Sequence, residues 1–238
     1  ENPLHPPPLH PALARHRILD RPVQGMAHVQ RAGHVRRRDG DRVVLLRRAD
    51  GRADHPLPRG TVGLARLVPG ALRQGPKTEE EIISESVRVL NELADICEQH
   101  GVKLGFEFLG EAGNSVTTLD LGSRIVNEVG RDSVGNVIDT YHFYAGGSSF
   151  EALENLDPEK LFIFHINDAE DLPKSELNDS KRLYPGHGIL PIKEMKETLD
   201  RIGYKGPASI EIFRPEYWER DPYQVSKEAK AAAGKALS

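Results

Sequence analysis

The 238-residue sequence has a formal net charge of -4, an apolar fraction of 38% and a single cysteine, Cys97. These values fit a soluble globular protein. They exclude an internal disulfide framework, and they give no sign of a membrane or nucleic-acid partner, since no apolar run nears the roughly 20 residues a membrane helix needs. No basic stretch leads into an apolar segment and a small-residue cleavage site, and a lone thiol suits a reducing compartment, so a cytoplasmic location is expected.

The overall charge hides two unlike parts. Residues 1–76 contain fourteen Arg and no Lys against six acids, with ten Pro and six His but no Ser, Phe, Tyr, Trp or Cys. Residues 77–238 hold eighteen basic and thirty acidic residues. The first part is an atypical Arg/Pro/His-rich segment that builds little core, and three readings compete for it. It is a disordered basic arm, a poorly patterned folded region, or a stretch read out of frame from a GC-rich gene. Clustered Arg would suit phosphate contacts, but no aromatic residue is present for base stacking. Within it, Val43–Leu46 and Leu64–Val68 are short apolar strand candidates, the second leading into a Pro69–Gly70 turn.

From Lys77 the pattern becomes regular. Thr78-Glu79-Glu80-Glu81 is a capping box, and Ile83, Val87, Leu90, Ala94 and Cys97 follow at helical spacing until Gly101 stops the helix. Then come a strand from Val102 to Phe108, a helix from Leu119 to Val129, a strand from Val134 to Asp139 and a short helix from Phe150 to Leu156. Leu161–Ile166 reads as a strand, Ile192–Ile202 as a helix, Ala208–Ile212 as a strand and Tyr223–Leu237 as the last helix. Short apolar strands separated by helices imply βαβ units and a parallel sheet, an α/β fold.

Each of the four strands carries one ligand-type residue at or near its C-terminal end: Glu107, Asp139, His165 and Glu211. Parallel strands aim these ends at one face, so residues distant in sequence can converge there. Taken singly, each acid is more often a helix cap or a surface charge, and a lone histidine such as His165 more often a structural one. Glu107, however, lies between Phe106 and Phe108, and Glu211 between Ile210 and Ile212. An unpaired charge inside such a strand is costly, and a metal ion removes that cost. Three carboxylates and an imidazole suit one divalent ion, Mn, Mg, Co or Zn.

Five ordered stretches carry a family likeness: Gly105-Phe106-Glu107-Phe108-Leu109-Gly110, Val137-Ile138-Asp139-Thr140-Tyr141-His142, Phe164-His165-Ile166-Asn167-Asp168, Tyr184-Pro185-Gly186-His187-Gly188 and Ser209-Ile210-Glu211-Ile212-Phe213-Arg214-Pro215-Glu216-Tyr217. Over residues 77–232 the chain resembles the xylose-isomerase-like barrel superfamily, nearest in pattern to its inosose (2-keto-myo-inositol) isomerases. The resemblance implies the C-terminal half of a (β/α)8 barrel, four βα units, in a barrel region spanning 77–238. It implies metal ligation by Glu107, Asp139, His165 and Glu211, acid/base roles for Glu107 and Glu211, and contacts from His142 and Arg182 to substrate oxygens. Trp218 becomes a candidate wall of the pocket. The implied activity is isomerisation or epimerisation of a keto-sugar or keto-polyol such as inosose through an enediolate, with an inosose dehydratase-like lyase or a non-catalytic barrel fragment as alternatives. The superfamily's abasic-site nucleases are disfavoured, because their additional histidine ligands have no counterpart in residues 77–238. The first 76 residues lack the pattern of the missing four units, so another chain, as in a homo-oligomer, or the N-terminal segment would have to cover the open strand edges.

Overall fold

A helix that returns the chain to the start of the next strand forces neighbouring strands to run parallel, and the computed structural model of this chain is built on that rule. It describes residues 32–36, 42–46, 63–68 and 78–238. The competing readings of the N-terminal segment, and the Pro69–Gly70 turn, otherwise fall outside the described residues. Strands β1 (Ala32–Arg36), β2 (Arg42–Leu46) and β3 (Gly63–Leu67) are followed by α1 (Glu79–Gln99), β4 (Val102–Glu107), α2 (Leu119–Val129), β5 (Val134–Asp139), α3 (Thr140–Gly146) and α4 (Phe150–Glu154). The chain continues with β6 (Leu161–Ile166), β7 (Asp168–Ala169), β8 (Arg182–Leu183), α5 (Ile192–Ile202), β9 (Ala208–Ile210), α6 (Pro215–Trp218) and α7 (Pro222–Ala236).

The main sheet has the order β1-β2-β3-β4-β5-β6-β9. From β3 to β9 every neighbour is parallel, whereas β1 pairs antiparallel with β2, and β2 with β3. The four expected units are all present. The parallel sheet also extends one strand further, because β3, read from sequence as Leu64–Val68, lies directly beside β4.

Local sequence explains the helix ends. The Thr78 hydroxyl accepts from the Glu81 N–H at 3.2 Å, and the Thr78 N–H donates to the Glu81 carboxylate at 2.8 Å. Two donors that the first turn leaves unpaired are thus satisfied. Helix α1 buries Ile83, Leu90, Ala94 and Cys97, and Gly101 then takes a left-handed φ of 62° that other residues avoid. Where the expected strand at Ala208–Ile212 stops early, at Ile210, the next residue is Glu211, whose N–H still donates to the Ile166 carbonyl at 3.3 Å.

Register assigns the faces. Arg66 lies opposite Gly105, Glu107 opposite Val137, Val137 opposite Ile163, Asp139 opposite His165 and His165 opposite Ser209. Paired residues share a face and the side-chain period is two, so Arg66, Glu107, Asp139, His165 and Glu211 all belong to one face. The other face holds Leu67, Leu104, Phe106, Val134, Ile138, Phe164 and Ile166, which form the main core with Ile83, Leu90, Ile125, Leu153, Met195 and Leu199 of the helices. Each such buried side chain contributes roughly 1.5–3 kcal/mol. A cavity of about 540 Å³ opens at the strands' N-terminal ends between Leu64, Lys103, Phe162, Ile163, Lys205 and Pro207, the end of the sheet away from the ligand-type residues. Among the described residues, no helix is long and apolar enough to cross a membrane.

Candidate metal centre

Glu107, Asp139, His165 and Glu211 each bring one ligand atom into a cluster in which all four atoms lie within 4.8 Å of one another. Opposite ligands of an ion bound at about 2.1 Å are about 4.2 Å apart, so small side-chain rotations suffice to close this set on a divalent ion. The donors also fit chemically: three hard carboxylates and one imidazole, with Glu107 and Asp139 fully buried, His165 buried and Glu211 partly exposed. The four residues that the sequence singled out do meet.

Their positions have local causes. Asp139 ends β5 and caps α3, its Oδ1 accepting from the Tyr141 N–H at 2.8 Å and the His142 N–H at 3.2 Å. The helix-cap reading of this acid is therefore realised on Oδ1, and Oδ2 is turned to the cluster. Its Oδ2 takes 2.8 Å hydrogen bonds from Asn167 Nδ2 and Arg182 Nη1. Asn167, two residues after His165, also donates to the Glu211 carbonyl at 3.0 Å, while Thr140 Oγ1 donates to its Oδ1. His165 Nδ1 lies 3.0 Å from Glu107 Oε1 and 3.6 Å from Glu211 Oε2.

Burial alone would raise the pKa of every acid here. In Glu107 the hydrogen bond and charge of His165, with the charge of Arg66, outweigh burial and hold the carboxyl below its usual range. The Arg182 charge does the same for Asp139, aided by His142 and His165. For Glu211 burial and the nearby Glu107 charge win, and the carboxyl is pushed up. Burial would lower His165, but its hydrogen bond to Glu107 and the surrounding acids lift it above the ordinary imidazole value.

His142 and Arg182 sit in the same cluster. Arg182 is fully buried; its Nε donates to Asp179 at 2.8 Å, and its guanidinium lies 4.6 Å from the Tyr141 ring centre and 5.2 Å from that of Phe213. It reaches this place because β7 and β8 pair antiparallel, Ala169 opposite Arg182, and fold the long loop after β6 back onto the site. His142 Nδ1 accepts from the Gly110 N–H at 3.2 Å, and its Nε2 lies 3.1 Å from Arg182 Nη2. Burial, with the Arg182 charge, lowers the His142 pKa despite the Asp139 charge. With Nδ1 accepting from Gly110, a neutral ring carries its proton on Nε2, the nitrogen nearest Arg182 Nη2. Trp218 is 64% exposed, and the aromatic rings over Arg182 are those of Tyr141 and Phe213.

Two members of the site were not singled out from sequence. Asn167 is in the quoted stretch after His165, and its two-residue offset was the available sign of a shared face. Arg66 interrupts an apolar strand as Glu107 does, but as a cation beside no acid in its own strand it carries no local sign of a ligand cluster. Its Nη1 donates to Glu107 Oε2 in a very short contact and lies 3.1 Å from Glu211 Oε1.

This arrangement, at the C-terminal ends of parallel strands, agrees with comparison to known proteins. Residues 59–235 match the family described as xylose isomerase-like TIM barrel. The chain belongs to that family. Among relatives, inosose isomerase of Bacillus subtilis (strain 168) is 43% identical over 152 residues, covering 64% of this chain and 55% of the relative. Inosose isomerase of Bacillus velezensis (strain DSM 23117 / BGSC 10A6 / LMG 26770 / FZB42) is 41% identical over 160 residues, covering 67% and 57%. Among solved structures, the crystal structure of the IOLI protein with a binding zinc atom superposes with a TM-score of 0.72 at 40% identity, covering 74% of this chain and 63% of that one. The chain thus spans little more than half the length of the curated relatives it matches. In this xylose isomerase-like barrel chain, the matched stretch includes β3 and Arg66 as well as the four clustered residues.

Proposed function

We propose that this chain is a divalent-metal-dependent isomerase or epimerase of a keto-sugar or keto-polyol of the inosose class, working by proton transfer through an enediolate. The observation that carries the proposal is the convergence of Glu107, Asp139, His165 and Glu211 at the C-terminal ends of four parallel strands. These four would hold the ion, within a barrel region taken as residues 77–238. Zinc accompanies the IOLI protein, and the same donors accept Mn²⁺, Mg²⁺ or Co²⁺. When bound, such an ion stabilises negative charge on substrate oxygens and acidifies the neighbouring carbon-bound proton.

The remaining chemistry belongs to the side chains. Glu107 and Glu211 come from strands separated by β5 and β6 and both reach the cluster, so one carboxylate removes the proton and the other returns it. Asn167 and Arg182 hold Asp139 in place through its Oδ2. His142 Nε2 and Arg182 Nη2, 3.1 Å apart, would both donate to a substrate hydroxyl or carbonyl oxygen that approaches the pair from the side.

The test is to load the full chain with Mn²⁺ or Zn²⁺, add inosose in D₂O and follow the mixture by NMR. Isomerised ketone with deuterium incorporated next to the carbonyl is expected. A dehydrated diketone would assign the lyase reading instead. Metal uptake without solvent exchange or product overturns the activity, and absence of metal uptake overturns the centre.

A further inference from the structure

We infer that Arg66 is an internal cation that a divalent ion must displace from the acidic cluster, so that β3 sets the metal affinity of this site. The inference rests on the metal centre proposed above and concerns how this chain tunes it.

Arg66 comes from the neighbouring strand, opposite Gly105, which carries no side chain, and it points along the face that holds Glu107 two residues further on. Its Nη1 donates to Glu107 Oε2, lies 3.1 Å from Glu211 Oε1 and 3.3 Å from Glu211 Oε2. The guanidinium therefore spans two of the four clustered acceptors, and those are the two carboxylates assigned to proton transfer. Its side chain is only 18% exposed. An ion held at about 2.1 Å by the same oxygens would place a double positive charge roughly 4 Å or less from that nitrogen, with little water between them to screen the repulsion. The two cations exclude one another. Arg182 is placed differently: its Nη1 is fixed to Asp139 Oδ2 at 2.8 Å, its Nε to Asp179, and it is 3.7 Å from the nearest Glu211 carboxylate oxygen, so it is in hydrogen-bond contact with one clustered carboxylate where Arg66 reaches two.

Two consequences follow from this geometry. Arg66 stabilises Glu107, Asp139 and Glu211 against mutual repulsion before an ion arrives, and it weakens ion binding by competing for the same oxygens. Removing it lowers the stability of the ion-free chain and tightens the site.

Titration calorimetry with Mn²⁺ on the full chain and on Arg66→Val tests the idea without relying on turnover. The variant is expected to bind Mn²⁺ about tenfold more tightly or better, which corresponds to about 1.4 kcal/mol or more. Equal affinity in both chains overturns the displacement while leaving the metal centre intact, whereas no Mn²⁺ binding by either chain overturns the metal centre and the displacement with it. A measurement on the unaltered chain avoids any folding defect of the variant: phenylglyoxal labelling read by peptide mass. Saturating Mn²⁺ is expected to raise modification of Arg66 several-fold, and unchanged labelling of Arg66 at saturation overturns the proposal.

Discussion

The two faces of a single sheet behave as different solvents. On the helix-covered face Leu104, Phe106, Ile138, Phe164 and Ile166 pack against helical side chains with almost no exposure, and nothing there has to ionise. On the opposite face the same strands present Arg66, Glu107, Asp139, His165 and Glu211, where every charge is matched by another within hydrogen-bond reach. One face supplies the stability that holds charged groups of the other in positions they would not adopt in water. The difference teaches that this site is a property of the sheet's pleat: advancing one residue along a strand exchanges core for chemistry.

Substitutions can break or sharpen that contrast. The largest effect is expected from Glu211→Gln, which keeps the shape of the side chain but removes the carboxylate; turnover should fall by about 10²–10⁴-fold, the usual contribution of positioned acid/base groups, with little change in unfolding temperature. Undiminished turnover would reject the acid/base role of Glu211. On the covered face, Leu104→Ala should cost about 2–5 kcal/mol in denaturant unfolding through the cavity it leaves, while Mn²⁺ affinity of the folded chain stays within a small factor. A large loss of metal affinity in that variant would show that the two faces are not independent. The smallest effect is assigned to Thr78→Ala, which removes the exposed α1 cap and should cost about 1 kcal/mol of stability with no change in metal binding.

The elements most legible in sequence were those fixed by local chemistry. The capping box at Thr78 and Glu81 satisfies backbone donors within four residues, and the helical spacing from Ile83 to Cys97 describes one face of one helix. Strand ends marked by Glu107, Asp139 and His165 were equally readable, since a charge at the close of an apolar run needs a reason. Less legible were features that depend on a partner far along the chain. Arg66 interrupts an apolar strand as Glu107 does, but its role arises only when β3 lies parallel to β4 and Gly105 stands opposite it. The β7 and β8 pairing that returns Arg182 to the cluster involves two residues on each side, too few to leave a periodic trace. Helix α3 is a single short element started by Asp139 itself, so the cap could be named only as an alternative until its oxygens were placed.

The sequence by itself determined the alternation of helices and strands, the family likeness and the identity of the four clustered ligand-type residues, because periodicity, caps and charges inside apolar runs are local or ordered along the chain. Only the tertiary structure decided which cations stand among those residues, which oxygen of Asp139 serves the helix and which the cluster, and how His142 meets Arg182. Those outcomes depend on distances between residues tens of positions apart, and distance is set by strand register and loop closure, neither of which a single strand encodes.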